Sequence, residues 1–107
     1  DYNNIKNLND KGVTNLSKLI DLRLGNNYLE SLKNYTFYGL KKLDRLNLDF
    51  NKVSNIEPKA FESLESLRYL SLRNNQIKLL NAYYMSYLIN LINLKLDKNA
   101  IQILDNE

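Results

Sequence analysis

The chain has 107 residues, a net charge of +3 from 15 basic and 12 acidic side chains, and 44% hydrophobic content, of which leucine supplies about half. It has no cysteine and no histidine; that excludes disulfides, thiolate chemistry, the cysteine–histidine and serine–histidine pairs and the usual zinc ligands. The basic residues are scattered among acidic ones, without the concentrated footprint typical of nucleic-acid binding, and nucleic acid is disfavoured as a partner on that ground.

The start, Asp1-Tyr2-Asn3-Asn4, is polar and lacks a signal-peptide pattern. From there onward the sequence repeats. A partial first unit over residues 1–18 supplies Asn3, Ile5, Leu8, Val13 and Leu16. The unit 19–42 carries Leu19, Leu22, Leu24, Asn27, Leu29, Leu32, Phe37 and Leu40. The unit 43–66 carries Leu43, Leu46, Leu48, Asn51, Val53, Ile56, Phe61 and Leu64. The unit 67–90 carries Leu67, Leu70, Leu72, Asn75, Ile77, Leu80, Met85 and Leu88. A last partial unit, 91–107, gives Leu91, Leu94, Leu96, Asn99, Ile101 and Leu104. Self-similarity at a period of this length is the signature of a solenoid. No apolar run approaches the ~18–20 residues needed to cross a bilayer.

Each column has a physical reason. In Leu22-Arg23-Leu24 two leucines alternate with a polar residue, the pattern of a half-buried strand. One such strand per unit predicts a single parallel sheet running along the stack. Asn27, Asn51, Asn75 and Asn99 follow the strand, where the chain turns inward. An amide has two donors and an acceptor, enough to pair backbone groups of its own and a neighbouring coil. These asparagines are therefore read as scaffold. Val13, Phe37, Phe61 and Met85 form an inward column on the opposite side of the coil. The stretch Glu57-Pro58-Lys59-Ala60 is long enough for a short turn or one helical turn, so the convex side should be irregular or short-helical.

These recurring positions resemble the leucine-rich repeat family, in its 24-residue extracellular class, across essentially the whole chain. Thr36-Phe37-Tyr38-Gly39-Leu40 and Ile56-Glu57-Pro58-Lys59-Ala60-Phe61 look like insect immune leucine-rich-repeat proteins and Toll-type ectodomains. The resemblance implies an α/β horseshoe: a leucine-rich repeat solenoid with a parallel β-sheet on its concave face. It also implies an extracellular, secreted or receptor, location and a role in protein recognition. An uncapped array needs terminal caps, so the expectation is a fragment of a longer ectodomain.

The outward strand positions form further columns: Asp21, Arg45, Tyr69, Asn93; Arg23, Asn47, Ser71, Lys95; Gly25, Asp49, Arg73, Asp97; and Asn26, Phe50, Asn74, Lys98. Two readings stand for their charges. They pair along the sheet, Asp21 with Arg45, Asp44 with Arg68, and Asp49 and Asp97 with Arg73; or they hold a partner. Aromatics beside arginine are common in interface hot spots, so Arg45, Asp49, Phe50, Tyr69 and Arg73 form the candidate partner-binding patch. The alternative for Phe50 is that it folds down over a turn. Tyr35, Tyr38, Tyr83, Tyr84 and Tyr87 either cover the phenylalanine column or form a lateral or dimer contact. Asn15-Leu16-Ser17 and Asn34-Tyr35-Thr36 are glycan acceptor patterns, and chance matches are common in an asparagine-rich chain.

No carboxylate pair, metal cluster or nucleophile–base pair falls in one column, so no catalytic residue, small-molecule substrate, metal or cofactor is implied. The sequence points to a module that binds another protein, as an extracellular immune-recognition ectodomain. An intracellular adaptor and a structural matrix protein are the competing readings.

Overall fold

The structure is a computed structural model, and it describes residues 17–104. Its first element of each coil is a three-residue strand: β1 (Asp21–Arg23), β3 (Arg45–Asn47), β5 (Tyr69–Ser71) and β7 (Asn93–Lys95). These pair in parallel in the order β1-β3-β5-β7. Their register is fixed at 24 residues: Leu22 opposes Leu46, Leu46 opposes Leu70, and Leu70 opposes Leu94. The turn back carries β2 (Ser31–Leu32) paired with β4 (Asn55–Ile56), and β6 (Leu79–Asn81) paired with β8 (Gln102–Leu104).

The leucines of the strands face inward because side chains alternate along a strand. Leu46, Leu48, Leu70 and Leu72 are buried, while Arg45 and Asn47 beside them are exposed. Behind the sheet lie Leu29, Val53 and Ile77, then Leu32, Ile56 and Leu80, then Leu40, Leu64 and Leu88, all buried. Phe37 and Phe61 are fully buried and lie parallel, 6.4 Å between ring centroids with 3° between planes. Met85 continues that column half-buried against the same core.

The asparagine column works as a ladder. Asn51 Nδ2 donates to Leu24 O of the preceding coil and Leu48 O of its own, each at 3.0 Å. Its Oδ1 accepts from Leu29 N at 3.0 Å. Asn75 repeats this with Leu48 O, Leu72 O and Val53 N. Asn99 repeats it with Leu72 O, Leu96 O and Ile77 N. One side chain thus pairs backbone groups of two coils, accepting from an N–H of the preceding coil and sharing carbonyls with the neighbouring asparagines, as Leu24 O accepts from both Asn27 and Asn51.

The convex side is a chain of turns, and no helix occurs among the described residues. After Glu57 the backbone closes by bonds three residues apart, Ala60 N to Glu57 O at 3.0 Å and Glu62 N to Lys59 O at 3.3 Å. This is the turn alternative for the Pro58 stretch, because only a few residues separate β4 from the buried Phe61.

One register departs from the sequence reading. Leu104 was expected in the column of Leu32, Ile56 and Leu80, but Leu80 pairs with Ile103, 23 residues on. The last return is one residue shorter as a result. Val13 and the rest of the first partial unit lie outside the described residues.

Candidate binding surface

The outward face of the four-stranded sheet is an open groove of about 600 Å³. All five candidate residues line it: Arg45, Asp49, Phe50, Tyr69 and Arg73. Strand register puts Arg45 directly opposite Tyr69. The Arg45 guanidinium lies over the Tyr69 ring, 4.4 Å from its centroid. Arg68 approaches the same ring at 5.5 Å. A tyrosine approached by two arginines was not legible as such in the sequence, because Arg68 precedes the strand and was assigned only to Asp44.

The Asp44–Arg68 pair forms as expected, by a short bond from Arg68 Nε to Asp44 Oδ1. Hydrogen bonding from Arg68 holds the Asp44 carboxyl below its ordinary range, and the same bond raises the arginine. The expected Asp21–Arg45 pairing does not form. Asp21 pairs with Arg23 at 3.2 Å, two residues along the same face, and the Asp21 hydrogen bond raises Arg23. Arg45 instead spends its planar group on the Tyr69 ring, with the Asp44 carboxylate 3.8 Å away.

The alternation Asp49, Arg73, Asp97 forms in part. Arg73 Nε stands 3.5 Å from Asp97 Oδ2. That nitrogen is itself buried and makes no hydrogen bond. Asp49 turns its Oδ1 to Ser71 Oγ at 2.5 Å and to Arg73 N at 2.8 Å. Its carboxylate therefore shapes the groove floor rather than standing free.

Phe50 projects rather than folding away, with 50% of its surface exposed. Its backbone is left-handed, φ 60°. The whole column shares this conformation: Asn26 at 60°, Asn74 at 58° and Lys98 at 64°. The turn is repeated because each residue's N–H reaches the next coil, Asn26 N to Asp49 O and Phe50 N to Arg73 O, both at 2.9 Å. Asparagine enters this region at low cost, and a bulky residue does not. Over the first coil the groove is kept open by Gly25, where a Cβ would stand 3.2 Å from Asp49 O.

On the convex side Tyr35 and Tyr38 meet edge to face at 6.0 Å, and both are exposed. Tyr83 is 70% exposed. Tyr84 is half-buried, and Tyr87 packs on the core. Tyr87 thus covers the spine, whereas Tyr35, Tyr38 and Tyr83 form an outer aromatic surface. Asn34 lies at an exposed turn there. Its Oδ1 accepts from Lys59 N and its own N–H donates to Glu57 Oε1, each at 2.8 Å. Asn15 lies outside the described residues. No group of carboxylates that could hold a metal ion occurs among the described residues, and they include no helix long and apolar enough to cross a membrane.

The sequence profile of the leucine-rich repeat family matches residues 1–53 and 42–101. The chain belongs to the leucine-rich repeat family. Among solved structures it is similar to TLR13 in its complex with ssRNA13, with 34% identity over 92% of this chain and a TM-score of 0.88. It is also similar to Drosophila Toll in the glycosylated Toll–Spatzle complex, with 29% identity over 85% of this chain and a TM-score of 0.77. The chain spans 14% of each of those two chains. No curated protein matches it by sequence. The repeat architecture and these likenesses make the chain a leucine-rich repeat module similar to a stretch of Toll-like receptor ectodomains.

Proposed function

We propose that this module recognises another protein in an extracellular, innate-immune setting, as one stretch of a longer receptor or secreted ectodomain. The concave patch Arg45, Phe50, Tyr69 and Arg73 makes the contact, and Asp49 holds the groove floor in shape. The observation that carries the reading is Tyr69, held by Arg45 and approached by Arg68 on an open sheet face. Such a ring presents a flat, pre-ordered surface at little further entropic cost, which is what interface anchors provide. The likeness to Toll in complex with Spatzle supports a protein as the ligand. A structural or adaptor scaffold is the alternative, in which no partner depends on this face.

A second reading is nucleic acid. Dispersed charge disfavours it, but the likeness to TLR13 bound to ssRNA13 gives that expectation no support. An aromatic ring beside arginines can stack a base as well as a side chain. Asp21, Asp44, Asp49 and Asp97 around the same sheet weigh toward protein.

Asn34 is the proposed glycan site. Its side-chain oxygen is tied to Lys59 while no protein hydrogen bond reaches its nitrogen among the described residues, so a sugar on that nitrogen leaves the bridge intact. Glycosidase treatment of the secreted protein should lower its mass, and the Asn34→Gln variant should lose that shift; Asn15→Gln tests the other sequon in the same way. The functional test is capture from host extracellular fluid with the full-length protein. One protein should be retained by the wild type and lost by Tyr69→Ala. Retention unaffected by Tyr69→Ala and Phe50→Ala would reject the concave patch.

A further inference from the structure

The groove carries two aromatic stations, Tyr69 and Phe50. At one, Arg45 lies over Tyr69. At the other, Phe50 N donates to Arg73 O at 2.9 Å, and both residues line the groove. Tyr69 is in register with Arg45, and Phe50 lies five positions further along the chain than Arg45. At ~3.3 Å per residue the stations stand at most about 16 Å apart, and the left-handed turn at Phe50 shortens that. Between them the face is small and polar, Asn47 and Ser71.

The carboxylates lining this face are held by near partners, whereas Arg45, Arg73 and Lys95 are less fully matched than Arg23. Asp21 is held by Arg23, Asp44 by Arg68, and Asp49 by Ser71 Oγ and the Arg73 N–H. Arg45 has only the Asp44 carboxylate, 3.8 Å off and already bonded to Arg68. Arg73 Nε makes no hydrogen bond, with Asp97 at 3.5 Å. Lys95, also lining the groove, has no carboxylate at ion-pair distance among the described residues. An incompletely met demand for anions therefore lies beside the half-buried Tyr69 and the exposed Phe50. Phe50 is not there for the turn, since asparagine meets the same backbone demand at Asn26 and Asn74.

We infer that the groove takes an extended protein segment with two apolar side chains four residues apart, one against Tyr69 and one against Phe50, and a carboxylate next to at least one of them for Arg45 or Arg73. This rests on the concave face being a protein-recognition surface. An extended chain advances ~3.3 Å per residue, so that spacing matches the separation of the stations. Bidentate pairing of a carboxylate with guanidinium fixes the direction in which the segment lies.

The test selects a displayed library of random linear peptides on the full-length protein. Enriched peptides should share two apolar residues four apart with an adjacent Asp or Glu. Arg45→Gln or Arg73→Gln should weaken them roughly tenfold, and replacing the peptide's acid by its amide should abolish that difference. Tyr69→Ala and Phe50→Asn should each remove one anchor, with unfolding midpoints confirming that the variants are folded. Peptides without an acid, or indifferent to both arginine variants while still sensitive to Tyr69→Ala, would overturn the inferred chemistry and keep the concave surface. Binding indifferent to all four variants would overturn both. No enrichment over the unselected library would overturn the inference. Displacement of the peptides by a single-stranded RNA oligonucleotide, with affinity falling steeply in salt, would overturn it in favour of nucleic acid.

Discussion

The inner and outer columns of the same coils obey opposite rules. Inside, Asn27, Asn51 and Asn75 are each less than a tenth exposed, and Phe37 lies on Phe61. Outside, Asp21, Arg45, Tyr69 and Asn93 stand side by side at one structural position and share no chemistry. Inner positions repeat because each has the same carbonyls to satisfy or the same volume to fill. Outer positions on a solvated sheet face carry no such demand. The column of Asn26, Phe50, Asn74 and Lys98 sits between the two rules: its backbone repeats to within a few degrees, and its side chain does not.

The difference can be broken first at Phe61. Phe61→Ala should cost about 3–5 kcal/mol, read by denaturant unfolding, since the ring is fully buried against Phe37. Phe50→Ala should cost less than half of that, because the Phe50 ring is already half in water. Equal losses at the two positions would mean that Phe50 is core and the distinction is false.

The ladder comes next. Asn51→Ala removes the acceptor of Leu29 N and one of the two amide donors to each of the carbonyls of Leu24 and Leu48, and should cost roughly 2 kcal/mol. Asn99 makes the same bonds from a half-buried position. Water can replace part of its role, and Asn99→Ala should cost roughly 1 kcal/mol.

Much of this was legible beforehand, and the reason is the period. A 24-residue spacing fixes which residues are neighbours across coils, so the parallel sheet, the ladder and the buried phenylalanines could be placed from spacing alone. Register says which residues are adjacent but not how a long side chain turns. Arg45 was set against Asp21 and chose Tyr69; Asp21 chose Arg23 on its own strand. Asp49 was read as an exposed charge and turned to Ser71 and a backbone N–H. The register of Leu80 with Ile103 was missed because Ile103 and Leu104 are both apolar, and spacing alone chose the wrong one.

The mixed column offers a finer test. At a left-handed position a Cβ is penalised and glycine is not, so Phe50→Gly should exceed Phe50→Ala in stability by about 1 kcal/mol. In a strand or right-handed turn the order would be reversed. Melting temperatures of the two variants decide it.

The smallest effect belongs to Asp44. Its folded carboxyl is held below the ordinary range by the Arg68 hydrogen bond. Its contribution is therefore complete above the unfolded-state value and disappears as pH falls through the folded one. Asp44→Asn should lower stability slightly at neutral pH, and the gap from wild type should close in acid. Because the pair is exposed, high salt should narrow it too.

The most direct test of the central claim, that the variable outer columns carry recognition, is site-specific photo-crosslinking in host extracellular fluid. Benzoylphenylalanine replaces Tyr69 or, as the convex counterpart, Tyr83, which is 70% exposed. The account predicts a discrete protein adduct from position 69 and none from position 83. An adduct from position 83 alone would contradict it and move recognition to the tyrosine-rich convex side.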